Sequence, residues 1–183
     1  MADPRRARAA CLAAVACAAF APLAAAHGGQ GDAHDFLAGL LHPLTGLDHG
    51  VAMLAVGVLA WTLGGSARWR LPATFLAAMA LGTGLGLAGF APAQVEMAVA
   101  ASVGALGAML LAGRHLPATL ALALVGIFGI FHGGAHGLDM QASASMTHAG
   151  GFFLATAGLH ATGLLLAAAV SVLRSRPRCR AAS

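Results

Sequence analysis

The stretch PATLALALVGIFGIFHGGAHGLD, residues 117–139, decides the fold. From Pro117 to Phe131 it carries no charge, and through Leu138 it is long enough, at about 1.5 Å per residue, to cross a hydrocarbon core of roughly 30 Å as a helix. Such a helix satisfies its own backbone in lipid, but ionisable side chains at that depth are costly and mark a site or a path. His132 and His136 are four apart and Asp139 is three further. At about 100° per residue the three fall in one narrow stripe. Two imidazoles and a carboxylate on one helical face form half of a site for a borderline divalent metal. The bland alternative is a pair of core histidines satisfied by backbone carbonyls.

Working outward, four more apolar segments lie at about 43–64, 71–90, 94–113 and 150–173. Gly64-Gly65 with Pro72, Pro92, Gly113 with Pro117, and the polar residues 139–149 punctuate them. The 183-residue chain is 59% hydrophobic and 9% charged, with a mean hydropathy of +0.82, which excludes an ordinary soluble domain. The expected fold is therefore all-α: a polytopic membrane bundle of about five transmembrane helices over 43–173, followed by a basic tail, 174–183. Glycines four apart (Gly46 and Gly50, Gly82 and Gly86, Gly129, Gly133 and Gly137) predict close helix packing, and Gly133-Gly134 predicts local loosening of the helix.

Residues 1–26 read as a cleavable Sec signal peptide. Arg5, Arg6 and Arg8 form its basic end, an apolar run follows to about Ala21, and Ala24-Ala25-Ala26 supplies small residues for cleavage. The competing reading is an uncleaved first helix, although Pro22 interrupts it. Cleavage after Ala26 would expose His27, whose free amine and imidazole together chelate a metal, at the head of a flexible periplasmic segment, 27–42. With Arg68, Arg70, Arg114, Arg174, Arg176, Arg178 and Arg180, all ten basic residues fall on one side of a five-span chain. The positive-inside rule then predicts a bacterial inner membrane protein with a periplasmic N-terminus and a cytoplasmic C-terminus. This asymmetry explains the high isoelectric point without nucleic acid as a partner. Cys11 and Cys17 lie in the leader and Cys179 in the tail, so no thiolate serves the membrane region.

A second histidine segment opens the first span: His42-Pro43-Leu44-Thr45-Gly46-Leu47-Asp48-His49. Pro43 suits the start of a helix. His42 and His49, seven apart, share a face if one helix runs through both, whereas a break at Thr45-Gly46 redirects them. Asp48 is open to two roles: a helix-start carboxylate near solvent, or an acceptor that orients a ligand histidine on a neighbouring segment. In the five-span topology His42, His49, His132, His136 and Asp139 gather at the periplasmic mouth, with His27 and His34 on the same side. His160 lies about ten residues, roughly 15 Å, into the last span and reads as a relay. Glu96 and His148 are weaker mouth candidates, and His115 reads as solvated.

These residues resemble the HupE/UreJ family of nickel and cobalt permeases. The family's first signature, His-Pro-x-x-Gly-x-Asp-His, matches at His42, Pro43, Gly46, Asp48 and His49, and its second, Phe-His-Gly-x-Ala-His-Gly, at Phe131 to Gly137. A leader ending just before a histidine is also similar. Two departures stand out: Asp139 takes the place of a glutamate one methylene longer, and Gly50 that of a larger apolar residue. The resemblance implies uptake of Ni²⁺ or Co²⁺ for metalloenzymes such as hydrogenase or urease, with no permanently bound cofactor.

The leading expectation is thus a permease without an ATPase motif, in which His27, His42, Asp48, His49, His132, His136 and Asp139 capture the divalent metal and His160 passes it inward. Its partners would be the ion, the lipid bilayer and cytoplasmic metal chaperones, and so thin a bundle suits a homo-oligomer. The competing classes are a membrane-embedded zinc-dependent hydrolase, using an open coordination position to activate water, and a bis-histidine haem carrier.

Overall fold

The computed structural model describes residues 30–90, 92, 94–140 and 146–175. The predicted leader, with His27, and residues 176–183 of the tail lie outside them. The described residues form no strand. Helix α1 is Gln30–Thr45, α2 Leu47–Leu63, α3 Ala67–Leu87, α4 Val95–Ala112, α5 Ala118–Met140 and α6 Met146–Ser175, with a 3-10 turn at Gly113–His115 between α4 and α5. Helices α3 to α6 are each long and apolar enough to cross a membrane, and α1 with α2 makes a fifth candidate, bent by 74°. The protein is an all-α, multi-pass membrane bundle.

Two expectations change. Residues 30–45 are helical where the sequence predicts a flexible head, because α1 packs along α6. Gly133-Gly134 does not loosen α5, which runs unbroken from Ala118 to Met140. A tertiary contact overrides the low helix propensity of glycine there.

That contact is the α3–α5 seam, the most extensive helix pair in the bundle. A Cβ added to Gly133 would strike the Met79 carbonyl, one on Gly137 the Thr83 carbonyl, and one on Gly82 the Ile130 carbonyl. Each glycine therefore sits against main chain of the other helix, so the backbones approach more closely than any side chain permits. The same device joins α2 to α6, where Gly57 meets the His160 carbonyl and Gly163 the Leu54 carbonyl. It also joins α1 to α6, where Gly39 meets the His148 carbonyl and Gly151 the Phe36 carbonyl. Leu71, Phe75, Met79, Val56, Leu59, Leu106 and Val125 fill the space between.

The seams determine where the histidines point. His132 and His136 each precede a seam glycine, so with Gly133 and Gly137 held on α3 the two imidazoles turn about 100° away, into the bundle. Arg68 and Arg70, in the first turn of α3, and Arg114, in the 3-10 turn, occupy the opposite end of the bundle. Gly113 lies near the Thr62 side chain there, and the Arg68 guanidinium stacks 4.0 Å above the Trp61 ring.

Candidate metal centre

The first histidine segment is bent, and the bend makes the site. Gly46 has extended dihedrals (φ −98°, ψ 109°) and begins α2, where the Gly50 amide donates to its carbonyl at 3.0 Å. A side chain on Gly50 would come within 3.1 Å of the Pro43 carbonyl. The small residue at 50 therefore lets α1 fold close over the start of α2. His42 and His49 consequently sit on two helices and do not share the face of one.

They converge nonetheless. The His42 ring lies 4.8 Å from that of His136, the His49 ring 4.7 Å from His136 and 5.1 Å from His132, centre to centre. Two imidazoles bound at right or tetrahedral angles to one ion, with metal–nitrogen bonds of about 2.1 Å, have ring centres roughly 4.5–5.2 Å apart. The separations fall within that range. Ligand atoms of His42, His136 and Asp139 also lie within 4.8 Å of one another. Asp139 is exposed at the end of the stripe, so the shorter carboxylate remains within range of the histidines.

Hydrogen bonding decides which nitrogens are available. The His132 Nδ1–H donates to the Phe128 carbonyl at 2.9 Å, one turn back on α5. This fixes the tautomer, leaving the lone pair on Nε2, which is buried without a protein partner. His49 Nδ1 lies 3.2 Å from Asp48 Oδ1, and Asp48 Oδ1 also accepts the His49 amide at 3.0 Å. Asp48 therefore contacts the adjacent histidine on its own helix, and not a histidine of a neighbouring segment. A carboxylate or carbonyl on one imidazole nitrogen, with the other presented inward, is the usual support for a metal-binding histidine. The Nε2 atoms of His49 and His136 are likewise buried without a protein partner. Each such atom costs about 1–3 kcal/mol, so folded proteins keep few of them without a functional reason.

His160 lies deeper. Its ring packs at 90° and 5.0 Å against Phe75, whose other neighbour is His132 at 5.3 Å. Both His160 nitrogens are buried without a protein partner. Thr156, one turn earlier on α6, directs its hydroxyl to the Phe152 carbonyl at 3.0 Å. The rings of His42, His136, His49, His132, Phe75 and His160 thus follow one another in a file, with neighbours 4.7–5.3 Å apart.

Of the remaining candidates, His34, Glu96 and His115 are exposed, and Met53 is core. Sequence reasoning undervalued His148, whose ring lies 5.8 Å from that of His42, and missed Phe152 and Phe75, which wall the cluster. The helical spacing of His148, Phe152, Thr156 and His160 puts the first two on the same face of α6 as His160, whereas no such signal marks Phe75.

The family profile described as HupE / UreJ protein matches residues 15–182. Protein HupE of Rhizobium leguminosarum bv. viciae is 44% identical over 132 residues, covering 72% of this chain and 69% of that protein. No solved structure matches the chain. With the profile spanning both histidine segments and every described helix, the chain belongs to the HupE/UreJ family.

Proposed function

We propose that the protein takes up divalent nickel, and cobalt as a second cargo, across the bacterial inner membrane for delivery to metalloenzymes such as hydrogenase or urease. The observation that carries this reading is the file of rings, with inward-facing imidazole nitrogens and a carboxylate at its open end. Imidazole and carboxylate suit these borderline ions. His42, His49, His132, His136 and Asp139 replace the hydration shell at the mouth, with His27 at the head of the mature chain as an additional donor. Asp48 acts through His49. His160 is the inner station. Ligands spread along a path bind the ion at several weak stations, which permits release as well as capture. Placing the arginine-bearing end in the cytoplasm puts the mouth in the periplasm. Transport is secondary, driven by the membrane potential and by trapping on cytoplasmic chaperones.

A zinc hydrolase would close its imidazoles around one ion, whereas here the rings extend in a file from His42 to His160. The test is ⁶³Ni²⁺ uptake at submicromolar metal in a host lacking its own nickel transporters, with Co²⁺ and Zn²⁺ as competitors. Uptake that disappears in His132→Ala and His49→Ala is the expected result. Unchanged uptake in the double variant would refute the path.

A further inference from the structure

Beyond the residues already given roles, we propose that His148 is a ligand of the capture site, closing a four-ligand set with His42, His136 and Asp139. The inference rests on the transport reading above and adds a residue to its outermost station.

His148 stands in the first turn of α6, and its ring lies edge-on to that of His42 at 5.8 Å and 69°. Its backbone is fixed at that place: the His148 carbonyl receives Gly39 of α1 at a distance no side chain would allow, and Gly39 precedes His42 by one helical turn. The contact that joins α1 to α6 therefore also sets His148 beside His42. One turn further along α6, Phe152 packs 3.9 Å from the His136 ring and 6.1 Å from that of His42, forming an apolar wall behind both. His148 and Phe152, four apart, present one face of α6 to the cluster.

The other members are already gathered, since ligand atoms of His42, His136 and Asp139 lie within 4.8 Å of one another. Three donors leave a divalent ion open to solvent on one side, and a third imidazole supplies the fourth donor. The 5.8 Å separation of His148 from His42 exceeds the roughly 5.2 Å of a tetrahedral pair by an amount that a side-chain rotation on a helix end covers. His148 lies partly open to the outside, whereas His136 is buried. An incoming ion therefore meets His148 before the inner histidines, and its affinity sets the metal concentration at which uptake half-saturates.

The experiment uses the full chain in detergent or nanodiscs with Co²⁺ alone as probe, read by its visible spectrum and by competition with a chromophoric chelator. His148→Ala is expected to weaken Co²⁺ binding at least tenfold and to raise the half-saturating concentration for Ni²⁺ uptake without lowering the maximal rate. His115→Ala, at the far end of the bundle, serves as the control. His148→Cys tests coordination directly, because a thiolate bound to Co²⁺ adds a charge-transfer absorption that the wild type lacks. No such band in His148→Cys, together with wild-type affinity in His148→Ala, would overturn the assignment, provided that His42→Ala and His136→Ala lose binding. If those two variants also bind Co²⁺ like the wild type, the transport reading fails as well.

Discussion

His160 is only 2% exposed and neither of its ring nitrogens has a protein partner, so His160→Leu should stabilise the protein while removing the inner station of the proposed path. Two uncompensated nitrogens at about 1–3 kcal/mol each represent roughly 2–6 kcal/mol of desolvation that leucine does not suffer. Imperfect filling of the space beside Phe75 takes back up to about 1.5 kcal/mol. A net gain of about 2 kcal/mol corresponds, for a chain of this size, to a rise in Tm of roughly 4–8 °C. The assay is thermal unfolding of purified protein with a chelator present, so that bound metal does not stabilise the wild type, set beside ⁶³Ni²⁺ uptake in cells. A variant that is more stable and transport-dead matches the reasoning. A variant that melts at or below the wild type would show that His160 serves the packing of α6 instead.

Other expectations follow from the same geometry. Gly133→Ala should cost about 3 kcal/mol or more and reduce the yield of folded protein, because its methyl group meets the Met79 carbonyl. Gly104→Ala, with nothing within 4 Å, should gain about 0.5–1 kcal/mol, and melting curves of the pair check both signs. Asp48→Asn leaves His49 without its charged acceptor and should weaken metal binding about 10–100-fold, measured by chelator competition, with little change in Tm. Acidification should weaken metal binding, because coordination needs neutral imidazoles and protons compete for the same lone pairs; the apparent Kd should rise steadily as pH falls.

The bundle was legible because lipid imposes its own rules: largely apolar runs of 20 or more residues between Gly and Pro punctuation leave few alternatives to spanning helices. The stripe of His132, His136 and Asp139 was legible for a different reason, since helical periodicity is a local property. The bend at Gly46 was only half legible. The sequence marks a place where a helix can break, but the break is realised through the approach of Pro43 to Gly50, a contact between two helices. The nearness of His148 to His42 was legible only as a shared end of the bundle, not as a contact. It depends on Gly39 meeting main chain more than a hundred residues away, a pairing that no window of sequence contains. Phe75 looked like any core residue, and only its position between two histidines separates it from the rest.

That position has an electrical consequence. An unbroken row of imidazoles crossing a membrane is a proton wire, since each ring can accept a proton on one nitrogen and release one from the other. Phe75 places a ring with neither donor nor acceptor between His132 and His160. A metal ion carried by swinging side chains can pass such a ring, but a proton hopping along hydrogen bonds halts there. On the proposed transport reading, the same benzene ring that completes the packing of α3 would interrupt proton hopping between the two imidazoles and leave the path to the metal.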